Sequence, residues 1–338
     1  MRSPPVRRAV VAEGASNLAA VNPPLSDPVV VVASTEHAAA MVEVVHAAFG
    51  ARPPIDPPST ADQETAGSIA QALRRGGGIY ASVDGRPAGA ILVGSTAEDV
   101  ATFARVSVHP DFQRHGIASA MVAAAEDLAA LQGHRRVDLF AREEFAELIT
   151  FWGRRGYAVA RLAPHGVVLT KALPRVLTLP DADATEELGW RLGEVVRAGD
   201  LLVLSGELGA GKTTLTQGLG RALGVTGAVI SPTFVLSRVH ATAQGRPTLV
   251  HVDAYRLGSP AELDDLDLDA SAPESVTVVE WGRGLVEQSW DHRLEVDLVH
   301  DPEGGRLALL RPVGERWSGV DLGALDPRRP AYAEVEHG

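Results

Sequence analysis

Gly206-Glu207-Leu208-Gly209-Ala210-Gly211-Lys212-Thr213 is the stretch on which this sequence turns. It fits G-x-x-x-x-G-K-[ST], a loop that cradles phosphate between a strand and a helix. The glycines let the backbone turn so that successive N–H groups point inward at anionic oxygens. Lys212 supplies a mobile ammonium for the β- and γ-phosphates, and the Thr213 hydroxyl suits Mg²⁺. The flanks agree: Leu201-Leu202-Val203-Leu204 reads as a buried strand, while Leu215, Leu219 and Leu223 recur at helical spacing. The following helix adds its positive end. Composition sharpens the reading, because of 31 basic residues only Lys171 and Lys212 are lysine. A chain that otherwise uses Arg has kept Lys where a compact point charge fits and a planar guanidinium does not.

Two apolar strands further on end in carboxylates: Val250-His251-Val252-Asp253 and Val276-Thr277-Val278-Val279-Glu280. Acids at the carboxyl ends of parallel strands stand beside a phosphate loop, where they hold metal-bound water or position an attacking water. Each alone is equally well a surface strand end; with the loop they point to a Mg–nucleotide site. Ser231-Pro232-Thr233-Phe234 is a turn-like candidate switch near the γ-phosphate.

Gly206–Thr214, Ser231-Pro232-Thr233-Phe234, His251-Val252-Asp253-Ala254-Tyr255-Arg256-Leu257 and Val279-Glu280-Trp281, in that order, resemble the TsaE family over roughly Val176 to Val313. That family comprises small bacterial ATPases of tRNA threonylcarbamoyladenosine biosynthesis. The resemblance implies ATP held by Gly206 to Thr214 (Glu207, Leu208, Gly209, Ala210 and Gly211 included), Mg²⁺ at Thr213, Asp253 and Glu280, and catalytic roles for Lys212, Asp253 and Glu280. It carries Thr233 and Trp281 over as residues near the nucleotide. It implies TsaD and TsaB as partners, with A37 of ANN-decoding tRNAs reached through them. Composition and spacing show neither partner nor tRNA.

Rival nucleotide enzymes are tested on the sequence itself. A guanine-specific N-K-x-D needs an asparagine, and the two present are Asn17 and Asn22. There is no L-S-G-G-Q-like transporter signature. A P-loop small-molecule kinase stays open, with Arg256 and Arg283 as candidate transition-state cations or plain exposed arginines.

The first half carries a second constellation. Val106-Ser107-Val108-His109-Pro110-Asp111-Phe112-Gln113-Arg114-His115-Gly116-Ile117-Ala118 runs from strand through turn to helix, with Q-x-x-G-x-A at the junction. Gly116 lets backbone approach a ligand, and the free N–H groups of Arg114 to Ala118 form an anion cradle suited to a pyrophosphate. With Phe151-Trp152-Gly153-Arg154-Arg155-Gly156-Tyr157, this segment resembles the GNAT acyltransferases over roughly Val29 to Leu173. The resemblance implies acetyl-CoA, its acyl arm on the backbone of Ser107 and Val108 and its pyrophosphate on Gln113, Arg114, His115, Gly116, Ile117 and Ala118. Trp152 stands where many such enzymes have a Tyr acid, and an indole N–H gives up no proton at working pH. Tyr157 reads as core. Glu98, Asp99 and His109 are candidate bases or solvated surface groups. The half is an acetyltransferase of unknown acceptor or an acyl-CoA-binding module.

The chain has 338 residues, long enough for two domains. Strands, hairpins and helices mixed in the first half predict an α+β fold over 28–173, which the resemblance implies is the GNAT fold. Strand–helix alternation predicts a three-layer α/β P-loop fold over 174–313. Residues 1–27 read as a disordered tail and 314–338 as a loosely ordered one. Arg52 to Ser59 holds four prolines and reads as a loop, and no helix is expected between it and the strand at Gly78. No apolar run approaches the roughly 20 residues of a membrane span. Zero Cys agrees with a reducing cytoplasm. A net charge of −12 argues against a broad nucleic-acid surface, so no DNA is expected. The leading expectation is a cytoplasmic Mg²⁺-dependent ATPase serving tRNA threonylcarbamoylation, fused to a GNAT domain. The alternatives are an acetyltransferase regulated by a nucleotide domain, the kinase, and a non-catalytic scaffold.

Overall fold

β1 (Val29–Val32) leads into α1 (Ala38–Gly50) and α2 (Ala66–Gly76), then β2 (Gly78–Val83), β3 (Arg86–Ala97) and β4 (Val100–Val108). α3 (Ile117–Leu131), β5 (Arg136–Arg142), α4 (Ala146–Gly153), β6 (Ala158–Ala163) and β7 (Gly166–Ala172) complete the first sheet unit. This computed structural model describes residues 26–287, 289–317 and 319–329. The N-terminal tail expected over 1–27 therefore lies outside the described residues but for its last two.

The strand order is β1-β2-β3-β4-β5-β7-β6, with β4 and β5 parallel and the other neighbours antiparallel. β4 meets β5 only at Val100↔Arg136, Ala101↔Val137 and Thr102↔Asp138, so the two part for the rest of their length. One face carries α3, whose small and flexible residues Met121, Ala125 and Ala129 are fully buried and let the helix lie close to the sheet. The other face carries α1 and α2, with Met41, Val44, Val45, Ile69 and Leu73 packed on Tyr80 and Leu92. α2 is the element missing from the sequence reading. Its signals are a Thr65 cap accepting from the Ser68 amide at 3.1 Å and the i,i+4 pair Ile69 and Leu73. Gly67 and the run Gly76-Gly77-Gly78 hid them.

The second sheet unit starts at β8 (Arg175–Leu179), followed by α5 (Ala182–Val195), β9 (Leu201–Gly206), α6 (Lys212–Ala222), β10 (Ser237–His240) and β11 (Thr248–Asp253). α7 (Pro260–Asp264), α8 (Leu268–Ser271), β12 (Ser275–Glu280), β13 (Arg293–His300) and β14 (Arg306–Val313) follow. The order β10-β11-β12-β9-β13-β14-β8 is mixed, parallel in its centre from β11 to β13 and antiparallel outside. Alternation along β9 divides its side chains: Leu202 and Leu204 face α5 and α6, while Leu201 and Val203 face Leu263, Leu268 and Val286. α5 and α6 cross so closely that a Cβ on Gly218 would stand 1.8 Å from the Glu186 carbonyl oxygen.

The loose tail expected from residue 314 is corrected as far as Arg329. Trp317, Leu322 and Leu325 are buried in the core beneath α5 and α6. Three apolar anchors spread through Gly- and Asp-rich chain have no period, so they escape pattern reading. Residues 330–338 lie outside the described set.

Only Leu173 and Pro174, both buried, separate β7 from β8. Val176 of β8 packs on the core beneath α3, and Arg311 of β14 pairs with Asp127 of α3. No described helix is long and apolar enough to cross a membrane.

Candidate functional site

Parallel pairing brings three strand ends to one level. Asp253 at the end of β11 lies opposite Glu280 at the end of β12, and Glu280 lies opposite Leu204 of β9, two residues before the phosphate loop. The two carboxylates thus stand side by side next to the loop, as the strand register requires. Gly206 has φ +142°, and a Cβ there would meet the Leu298 carbonyl oxygen at 2.4 Å, so a side chain is excluded by both strain and space. α6 begins at Lys212, with its first-turn N–H groups facing the loop it closes.

Lys212 is 5% exposed. Its Nζ donates to the carbonyl oxygens of Gly206 at 2.9 Å and Glu207 at 3.0 Å, and lies 4.0 Å from the Trp281 ring centroid. Burial lowers the Lys212 pKa, and the nearby Glu280 and Asp253 only partly offset it. The ammonium is therefore poorly solvated and held by weak neutral acceptors, ready to exchange them for an anion. Thr213 Oγ1 donates to Glu280 Oε1 at 2.9 Å.

Asp253 accepts from Ser231 Oγ at 2.8 Å, Thr233 Oγ1 at 2.5 Å and the Tyr255 amide at 3.1 Å. Burial alone would raise its pKa; those three bonds outweigh burial and bring it below the ordinary value, so it is a carboxylate at neutral pH. Thr213, Asp253 and Glu280 form a set of hard oxygens, one hydroxyl and two carboxylates. Mg²⁺, which keeps most of its waters and takes few protein ligands, fits such a set.

The structure therefore gathers Gly206, Gly211, Lys212, Thr213, Thr233, Asp253, Glu280 and Trp281 around one point. Leu208 is 93% exposed on the outer arc of the loop, with Glu207 and Gly209 beside it. Ala210 is buried and Thr214 half-buried. Arg256 lies 5.1 Å over the Phe234 ring, and Arg283 is committed to Asp297 at 2.5 Å. Sequence reasoning passed over four contributors. Ser231 and the Tyr255 amide fix Asp253, and His251 Nε2 reaches Glu280 Oε1 at 2.9 Å. Arg306 holds the loop from behind, through the carbonyl oxygens of Gly209 and Ala210, both at 3.2 Å. Ser231 and His251 stood in the quoted motifs; nothing in the sequence singles out Arg306 among 29 arginines.

The first sheet offers a different kind of site. Ser107 and Val108 end β4 where it has left β5, and Gly116, left-handed at φ +75°, caps α3. Arg114 is also left-handed, at φ +67°, and Gln113 to Gly116 are exposed, whereas Ile117 is buried. A cleft of ≈ 790 Å³ lies between α3 and α4, lined by Ser119, Val122, Glu126, Phe151, Arg155 and Lys171. Trp152 and Tyr157 are core residues with ring centroids 4.8 Å apart. The Tyr157 hydroxyl donates to Glu126 Oε1 at 3.0 Å, and burial pushes its pKa upward, away from any acid role. Glu98 and Asp99 occupy the β3–β4 turn, at the far end of β4 from Ser107, a separation of roughly 26 Å for eight strand residues. They are excluded as bases for chemistry at Ser107. The His109 Nδ1 accepts from the Asp111 amide at 3.2 Å.

Comparison with known proteins divides the chain at the same place. The family model for threonylcarbamoyl adenosine biosynthesis protein TsaE matches residues 179–308, and that for the acetyltransferase (GNAT) family matches residues 42–157. The tRNA threonylcarbamoyladenosine biosynthesis protein TsaE of Streptomyces coelicolor is 55% identical over 144 residues, 41% of this chain and 97% of that protein. Its namesake from Mycobacterium bovis is 50% identical over 128 residues, 36% of this chain and 76% of that protein. The solved PaiA N-acetyltransferase of Thermoplasma acidophilum in complex with coenzyme A is 15% identical, covering 44% of this chain and 99% of that one with a TM-score of 0.39.

Proposed function

This chain belongs to the TsaE family through its second half, and from that premise we propose that it is a Mg²⁺-dependent ATPase serving tRNA threonylcarbamoyladenosine formation. In this reading it works in the cytoplasm with TsaD and TsaB and reaches tRNA through them. The observation that carries the reading is the level alignment of Asp253 and Glu280 beside the loop, with the Thr213 hydroxyl bonded to Glu280.

The residues divide the work. Loop N–H groups and the α6 N-terminus hold the phosphates, and the Lys212 ammonium leaves its carbonyl partners to neutralise the γ-phosphoryl oxygens. Thr213, Asp253 and Glu280 would hold Mg²⁺ and its waters, which would supply charge neutralisation beside the phosphates. Thr233 and Ser231, anchored on Asp253, tie the 231–234 turn to the metal side of the site. Trp281, at φ +62° and stacked edge-on to Tyr255 at 5.3 Å, walls Lys212 from solvent. Phosphate release by the purified chain, and nucleoside mass spectrometry of tRNA from cells carrying Lys212→Ala, test the reading. Unchanged hydrolysis by the variant overturns the loop assignment, and unchanged tRNA modification overturns the pathway.

A second activity rests on a separate observation, the parting of β4 from β5 beside the α3 N-terminus. We propose that residues 28–173 bind acetyl-CoA there, with 174–313 forming the nucleotide unit. Ser107 and Val108 offer backbone to the acyl arm, and Gln113 to Ala118 offer N–H groups to the pyrophosphate. Calorimetry with acetyl-CoA, followed by transfer assays on amines and peptide N-termini, separates a transferase from a binding module.

A further inference from the structure

β11 is an aliphatic strand, with Leu249, Val250 and Val252 all buried, and it contains one imidazole, His251, at 0% exposure. A valine would pack there without leaving any nitrogen to satisfy. The ring instead reaches across to β12, placing Nε2 2.9 Å from Glu280 Oε1. The register explains the reach: His251 lies opposite Val278, two residues before Glu280, so the two side chains share a face of the sheet. Glu280 Oε1 also receives the Thr213 hydroxyl at 2.9 Å. Two donors therefore converge on one carboxylate oxygen, and among the described residues no hydrogen bond falls on Oε2.

A carboxylate held at one oxygen by donors from two different elements cannot swing about its last torsion. Its second oxygen is then presented in a fixed direction, which is how residues behind a metal-side carboxylate orient it. The acceptor also sets the tautomer, since only an Nε2–H can donate to Glu280. Nδ1 is left as a bare acceptor, buried and without a partner, and its neighbour His240 has a buried, unpartnered Nε2 with ring centroids 6.4 Å apart. Buried polar atoms without partners are uncommon and ask for a reason outside packing.

We propose that His251 is a positioning residue for nucleotide hydrolysis, holding Glu280 Oε1 so that Oε2 remains free and fixed for the metal side of the site. This rests on the ATPase reading above. His251 touches neither nucleotide nor metal in this assignment; it acts through Glu280.

The full-length chain is assayed as His251→Leu, which keeps bulk and removes the donor, and as His251→Gln, which returns an N–H at the Nε2 position. Expected for His251→Leu is a 10–100-fold fall in kcat, the scale for removing the group that orients a metal-side ligand, with KM for ATP within threefold. Calorimetry with ADP should show unchanged affinity without Mg²⁺ and loss of the gain in affinity that Mg²⁺ gives the wild type. His251→Gln should recover most of both. A His251→Leu kcat within twofold of an active wild type overturns the proposal, as does equal loss of nucleotide affinity with and without Mg²⁺. If His251→Leu does not fold, a folded His251→Gln decides: retained kcat supports the positioning bond, and collapse overturns it. If the wild type shows no hydrolysis, the ATPase reading fails first, and the Mg²⁺ effect on ADP affinity still decides the role of His251.

Discussion

The strand ends of the second sheet and the parted strands of the first are built by different means. Around Lys212, side chains from β11, β12, α6 and the 231–234 turn are bonded to one another at 2.5–2.9 Å. At Gly116, the offered groups are main-chain N–H donors and open backbone, while the nearby aromatics Trp152 and Tyr157 are turned into the core. One site has its chemistry built into fixed side chains; the other has a binding surface and no positioned acid. Fixed side-chain charge placed where charge develops lowers a barrier, whereas a cradle with no acid or base positioned beside it supplies binding.

That contrast predicts an ordered series of effects. Lys212→Ala, read by phosphate release, should lower ATP turnover at least about 10²–10³-fold, the scale for removing a charge-stabilising donor, with the circular dichroism spectrum unchanged. A smaller loss would mean the ammonium is not the main cation of the site. Glu280→Gln should lower kcat about 10²-fold while calorimetric nucleotide affinity measured without Mg²⁺ moves little, because charge at this position matters most on the metal side as the bond breaks. In the first half the equivalent experiment should cost affinity alone. At Gly116 a Cβ meets nothing within 4 Å, so Gly116→Ala introduces backbone strain without a clash. That strain is about 1–2 kcal/mol, which appears as up to roughly a thirtyfold weaker CoA constant.

The contact between the two sheets gives the next test. Burial pushes Asp127 up to about 6; Arg311 opposes the rise, Asp297 adds to it, Arg283 opposes it and Glu126 adds to it. A carboxyl whose folded value exceeds its unfolded value contributes stability below about pH 4 that is lost as pH climbs through 6. Asp127→Asn, which mimics the protonated acid, should match the wild type in thermal melts near pH 4 and exceed it by about 1 kcal/mol or more at pH 7.5. A constant difference across that range would remove Asp127 from the account. The smallest expected effect is at Trp152: Trp152→Phe should leave acetyl-CoA affinity within about twofold, since the indole packs on Tyr157 away from the cradle. A large loss there would erase the contrast between the two sites.

The α+β and α/β characters of the halves were legible because hairpin signals, helical spacing and strand-ending acids are local. Lys212, Thr213, Asp253 and Glu280 were legible as a set because the motif fixes their types and parallel strands fix their level. What escaped depends on tertiary register. His251 and Arg306 act through partners 29 and 96 residues away, and no local pattern records such pairs. The distance of Glu98 and Asp99 from Ser107 needed the length of β4 to be known. α2 was lost to its glycines, and Trp317 to the absence of any period around it.

Leu173 and Pro174 are all that stands between β7 and β8, and both are buried. The exposed Ala172 precedes them directly, so the two sheets are joined with no linker between them. Every molecule translated therefore carries both sheets in one-to-one ratio, joined by two residues rather than brought together by collision.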